Sequence, residues 1–237
     1  MDDIVLICLP FAGAGASFFR GWQNLAPANL QILPVQLPGR EERFAEPLLT
    51  NAANATDEVY TQITAKLRKG DRVALFGHSL GAVLAYELAQ RLRAADRVEL
   101  VRLFVSGSPD PWSGRRDRAT GLPDAEFVAQ VQRFAGYTHP ALEDEEMQKL
   151  LLPLLRADVE LHEHYLPDGD HPLDIPITAI RGENDELVSA SEAAQWSRAT
   201  TADCDCREVP GGHMHLADAP DVLLTLIGSH LDQTRAR

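Results

Sequence analysis

Apolar residues in this chain follow two spacings. Short runs are apolar almost without a break, as strands buried on both faces are. They are "IVLICL" (Ile4 to Leu9), "QILPVQL" (Gln31 to Leu37), "RVALF" (Arg72 to Phe76), "VELVRLFVSG" (Val98 to Gly107) and "PITAIRG" (Pro176 to Gly182), with "CREV" from Cys206 continuing the series. Between them lie amphipathic stretches of helical period, at about 53–68, 80–93, 191–199 and 220–231. The alternation predicts the α/β class, a mainly parallel sheet with helices on both faces. Right-handed crossovers then bring the carboxyl ends of the strands, and any site built on them, to one edge.

One region breaks the alternation. From about 109 to 172 no strand pattern appears, only helical pieces: "DAEFVAQVQRF" and "EDEEMQKLLLPLLRADVELHEHY". Pro153 inside the second predicts a kink or two shorter helices. Some 60 residues is too long for an ordinary connection (about 12–15 at most). The expected organisation is one domain over 1–237, with a helical lid inserted at about 109–172 above the sheet edge.

The seam between "RVALF" and the helix after it reads "GHSLG", Gly77 to Gly81. This is G-x-S-x-G in the strand–turn–helix setting that a nucleophile elbow requires. Strand and helix nearly touch there, so the residues two before and two after the serine must be small. The turn lifts Ser79 above the sheet, beside the N-terminus of the helix.

A serine needs a base. Of the eight histidines, His78 lies within the elbow and is expected to face away from the serine, in a packing or hydrogen-bonding role. His139, His162, His164 and His171 fall in the expected lid, where solvated or capping roles are expected. His230 lies near the end of the last helix, where positive charge suits the dipole. His213 and His215, in "VPGGHMHLADAP", follow a strand and a double glycine, and His213 is the preferred base. Two carboxylates could orient it, Asp185 in "IRGENDELVSA" and Asp110 in "FVSGSPDPW". Asp185 is preferred because it ends a strand followed by a short loop. Oxyanion donors are expected at the backbone N–H of Leu80, just after the serine, and of Ala12 (with Phe11 the alternative) in the glycine-rich loop "LPFAGAGASFF".

Composition and charge narrow the classes. With 237 residues, 45% hydrophobic and 24% charged, the chain can bury a substantial core. No apolar run approaches the ~18 residues of a membrane span, and "MDDIVLICLPF" lacks a basic signal-peptide start. A cytoplasmic, monomeric protein without a membrane partner is expected. The net charge of −13 disfavours nucleic acid as a partner. Cys8, Cys204 and Cys206 are odd in number, and one C-x-C is a poor metal motif; reduced thiols, no metal and no cofactor are expected.

Beyond a serine hydrolase or acyltransferase the residues themselves do not go. The segments "LPFAGAGASFFRGW", "LPVQLPGREERF", "GHSLGAVLAYELA", "LLLPLLRADVELHEHY", "PLDIPITAIRGENDELVS" and "VPGGHMHL" occur in the order and spacing of type II thioesterases, which the chain resembles from about Ile4 to Leu231. These stand-alone enzymes accompany polyketide synthases and nonribosomal peptide synthetases. The resemblance implies an α/β-hydrolase fold with a helical lid. It also implies Ser79, Asp185 and His213 as catalytic triad, and hydrolysis of acyl groups from the phosphopantetheine thiol of acyl or peptidyl carrier proteins, removing stalled or mis-primed units. Carriers are usually acidic, as this chain is, so docking would need a local basic or apolar patch. Arg40 and Arg43, or Arg115, Arg116 and Arg118, are the candidates. A product-releasing thioesterase, an acyltransferase, a carboxylesterase and a noncatalytic binding module remain alternatives.

Overall fold

The computed structural model describes residues 3–115, 117–135 and 140–235; His139 and Arg116 lie outside them. Six strands form one sheet: β1 (Ile4–Leu9), β2 (Leu30–Pro34), β3 (Arg72–His78), β4 (Glu99–Ser106), β5 (Ile177–Gly182) and β6 (Cys204–Val209). Their order is β2-β1-β3-β4-β5-β6 and every pairing is parallel. The helices are α1 (Ser17–Arg20), α2 (Ala52–Thr64), α3 (Leu80–Ala95), α4 (Asp124–Ala135), α5 (Glu145–Glu163), α6 (Ala190–Ala194), α7 (His215–Asp218) and α8 (Pro220–Arg235).

The apolar strands explain the layering. Successive side chains in a strand point to opposite faces. In β1, Val5, Ile7 and Leu9 join the core that includes α2 and α3 residues such as Val59 and Leu88. Ile4, Leu6 and Cys8 join the opposite core, with Phe19, Leu224 and Ile227. β3 divides in the same way, Val73 and Leu75 to one side and Ala74 and Phe76 to the other. A strand apolar at every position is what a sheet covered on both faces demands.

The strand order also chooses where a site can form. From β1 the chain goes to one side (β2) and then crosses to the other (β3), so the connections leaving β1 and β3 diverge. Such a switch point leaves a crevice beyond the strand ends. Here Leu9 is paired with Gly77, which sets the loop after β1 beside the turn after β3.

Between β4 and β5 the described residues hold α4, a short 3₁₀ turn (Pro140–Leu142) and α5. These helices have a small core of their own, in which Phe127, Phe134, Leu142, Leu152 and Val159 meet. Pro153 does not divide α5, which is one helix from Glu145 to Glu163 and not two shorter ones. One internal hydrogen bond is lost at a proline. Flanking Leu152 and Leu154, both buried, supply packing that offsets it, and Asp144 caps the helix through the N–H groups of Glu146 and Met147.

Candidate active site

The elbow is built by crowding. A methyl group on Gly77 would collide with the backbone of Gly81, and one on Gly81 would lie 2.5 Å from the carbonyl oxygen of Leu9. Between them Ser79 adopts φ 52°, ψ −115°, a conformation costly for a residue with a Cβ and characteristic of strained functional turns. Its N–H donates to Ser106 O at 2.8 Å, tying the turn to the end of β4. Leu80 is the first residue of α3, so its N–H has no acceptor within the helix.

His213 Nδ1 and Asp185 Oδ2 are 3.0 Å apart. The loops carrying them are laced together: Glu183 N–H donates to Val209 O and Asn184 N–H to Gly211 O. Asp185 Oδ1 also accepts from the N–H groups of Leu187 and Val188. Burial opposes ionisation of Asp185. The bond to His213, its charge and the two backbone donors outweigh burial, holding the carboxyl below its usual range. The buried Arg181 of β5 braces the same loop, donating to the carbonyls of Val188 and Asp185.

Asp110 is placed elsewhere. It is buried, but it accepts from Trp112 N–H and the Ser113 hydroxyl, with Arg198 3.7 Å away. It caps its own turn.

His215 is likewise committed to structure. Its Nδ1 faces the Gly212 carbonyl at 3.1 Å and must donate, leaving Nε2 to accept from Ser106 Oγ at 2.9 Å. With that hydroxyl hydrogen committed, His78 Nδ1 donates to Ser106 Oγ at 3.0 Å. His78 Nε2 is buried without a hydrogen-bond partner among the described residues. Burial, then the neighbouring His213 and His215, hold His78 well below the usual imidazole range; His215 is lowered too, chiefly by burial. Two neutral imidazoles thus flank the one that is paired with a carboxylate.

Ser79, His78 and His213 open on one cavity of about 450 Å³, with Phe11, Ala12 and Gly13 on its rim and Leu151, Leu154, Leu155 and Val159 of α5 on its wall. Among the described residues no hydrogen bond joins Ser79 Oγ to His213 in this arrangement; such bonds commonly tighten when substrate arrives. Ala14 N–H closes a turn onto Phe11 O at 3.0 Å, and among the described residues the Ala12 N–H donates to no acceptor.

The structure corrects several expectations. His162 is buried and lines the cavity beside Arg115, whose Nη1 is 3.4 Å from His162 Nδ1 and whose guanidinium stacks 4.4 Å from the Phe134 ring centre. Burial, and secondarily the Arg115 charge, push His162 well down. His164 and His171, by contrast, are exposed, as a solvated role requires, and His164 lies near Glu160. His230 is buried with Nε2 2.8 Å from Asp205, and α8 continues past it, so a partner carboxylate, not the helix end, is its main contact. Arg40 is buried against Asp158 and Arg43 pairs with Glu46 and Glu58, so neither is a free surface cation. Of Arg115 and Arg118, the described members of the second group, only Arg118 is exposed. The sequence did carry a hint of the buried pair: Asp158 follows Leu154 by four positions and precedes Leu161 by three, on the apolar face of α5.

Among the described residues no group of three or more His, Cys, Asp or Glu side chains is arranged to hold a metal ion. No described helix is long and apolar enough to cross a membrane.

The family model "Thioesterase domain" matches residues 5–231. The chain is 36% identical over 216 residues to the gramicidin S biosynthesis protein GrsT of Aneurinibacillus migulanus, covering 90% of this chain and 83% of that protein. It is 36% identical over 231 residues to the thioesterase PikA5 of Streptomyces venezuelae, covering 97% and 82%. Among solved structures it resembles the type II thioesterase BorB of the borrelidin biosynthetic cluster, at 35% identity and a TM-score of 0.85, covering 97% of this chain and 93% of that one.

Proposed function

Since this chain belongs to the thioesterase domain family and is a hydrolase acting on thioesters, we propose that it frees acyl groups from the phosphopantetheine arms of acyl or peptidyl carrier proteins in a polyketide or nonribosomal peptide pathway. Its task there is to clear stalled or mis-primed units. Relatives named for such pathways support the setting. The observation that carries the chemistry is His213, paired with Asp185 and sharing one apolar cavity with the strained Ser79.

In this reading the pantetheine thioester reaches Ser79 beneath a lid formed by α4 and α5. Ser79 Oγ attacks the carbonyl carbon while His213 Nε2 takes its proton. Asp185 holds the ring with Nδ1–H toward itself and stabilises the imidazolium. The N–H groups of Leu80 and Ala12 receive the oxyanion, as preorganised dipoles that need no rearrangement during the reaction. The C–S bond breaks and the sulfur, a good leaving group because its thiol has a pKa near about 8.5, departs as the thiol with the proton from His213 Nε2, which returns the imidazole to its neutral form. Water, deprotonated by His213, then attacks the acyl-serine, and the acid departs as the proton returns to Ser79. The cavity wall is mainly aliphatic and aromatic, which suits an acyl chain.

Acyl-loaded carriers, short against long, are the direct test. Wild-type protein should discharge them and accumulate acyl-enzyme in rapid-quench experiments, and Ser79→Ala should do neither. Turnover retained in Ser79→Ala would end this account.

A further inference from the structure

The turn that offers the Ala12 N–H is not held by the body of the domain alone. Gly13, at φ 79°, occupies the third position of that turn, where a left-handed residue is needed. Its N–H donates to Asp158 Oδ2 at 2.7 Å. Asp158 is a residue of α5, 145 positions along the chain. The same carboxylate takes two bonds from Arg40, at 2.8 and 2.7 Å, and Arg40 Nη1 also donates to Ala14 O at 2.9 Å. A second α5 side chain touches the turn, since a methyl on Gly13 would lie 2.7 Å from Leu155 Cδ2. Arg40 and Asp158 are only 5% and 1% exposed.

We propose that the Arg40–Asp158 pair is a positioning clamp that makes the oxyanion geometry depend on the docking of α5, so that the protein is catalytically competent only with that helix seated. The inference rests on the thioesterase reading above. Buried ion pairs are poor devices for stability alone, because desolvation of both charges offsets much of their attraction. This pair does something an apolar pair could not: it grips the turn at both ends of one peptide segment, through the Gly13 N–H and the Ala14 carbonyl. With α5 lifted, Arg40 loses its counter-charge and Gly13 its acceptor together. The Ala12 N–H is then free to swing from the line of the developing oxyanion, where small misplacements cost heavily. Neither residue touches the reacting atoms; both act through the turn.

The test compares wild type, Asp158→Asn, and the double variant Arg40→Met/Asp158→Leu, using a soluble acyl-pantetheine thioester. Replacing both charges by apolar groups keeps the fold packed and removes the grip, while asparagine keeps an acceptor for Gly13. The double variant should melt near the wild-type temperature, yet show kcat lowered about 30- to 100-fold with KM changed less than about threefold. Asp158→Asn should recover part of that kcat. A folded double variant with wild-type kcat would overturn the clamp and leave the thioesterase reading intact; a wild type that hydrolyses no thioester would remove both. If the double variant does not fold, amide exchange of the wild type decides. The Gly13 amide should exchange together with the amides of α5, and rapid exchange of Gly13 while α5 stays protected would refute the coupling.

Discussion

His213 Nδ1 lies 3.0 Å from Asp185 Oδ2, with the two side chains 8% and 0% exposed. A pair so enclosed fixes the imidazole tautomer, because among the described residues the acceptor Nδ1 meets is that carboxylate. Asp185→Asn should therefore keep the fold and lower kcat by about 10³- to 10⁴-fold, the scale expected when the ring is held in the wrong tautomer. Asp110→Asn should cost stability at its own turn and leave kcat within about threefold of wild type. Steady-state kinetics on both variants checks the choice, and comparable losses in the two would undo it.

The two histidines of the "GGHMH" segment should separate as sharply. His213→Ala removes the proposed base and should reduce turnover at least about 10³-fold. His215→Ala instead leaves the Ser106 hydroxyl without its acceptor, a loss of about 1–3 kcal/mol for a buried polar group, with turnover falling about tenfold or less. Urea unfolding set beside kinetics distinguishes the outcomes.

Crowding at the elbow predicts a contrast among glycines. Gly81→Ala forces a methyl against the Leu9 carbonyl and should cost about 3 kcal/mol or prevent folding. Gly21→Ala meets nothing within 4 Å at φ −67° and should be neutral or stabilising by up to about 1 kcal/mol. Thermal midpoints of the two would show it, and a tolerated Gly81→Ala would mean the turn is looser than described.

His78 and His162 make stability depend on pH in a definite direction. Both are held well below the usual imidazole range, first by burial and then by neighbouring basic groups, the His213 and His215 imidazoles for one and the Arg115 guanidinium for the other. In the unfolded chain they titrate near about 6.5. Their contribution is thus complete above that value and is lost as pH falls below it, since the unfolded chain gains protons the native state refuses. Each can add up to about 1.4 kcal/mol per pH unit to the slope. Unfolding free energy measured from pH 7.5 to 5 should fall, and His162→Leu should flatten the curve by about one proton. Parallel curves would contradict the assignment. The depressed Asp185 acts lower, its contribution present above about pH 3.9 and lost below it.

Much of this was legible beforehand, and the limits follow residue by residue. The strand segments appear close to where their apolar runs lie, and Gly77, Ser79 and Gly81 announce the turn, because these are local properties of a few neighbouring residues. His162 departs from the solvated or capping role its sequence position suggests, because a place within a helix says nothing of which way that helix is docked. Arg40 is not the surface cation its local sequence suggests for the same reason: its partner, Asp158, is 118 positions away.

The amino-acid sequence by itself determined the α/β layering and the glycine-flanked elbow. Each depends on backbone periodicity or on sterics within one turn. Only the tertiary structure set Asp185, and not Asp110, against His213, committed His215 to Ser106, turned His162 and Arg115 toward the cavity and joined Arg40 to Asp158. Those outcomes depend on how the ends of β4, β5 and β6 and the face of α5 meet across long stretches of chain. Hydrophobic pattern sets which face is buried; which polar group meets which is fixed by packing.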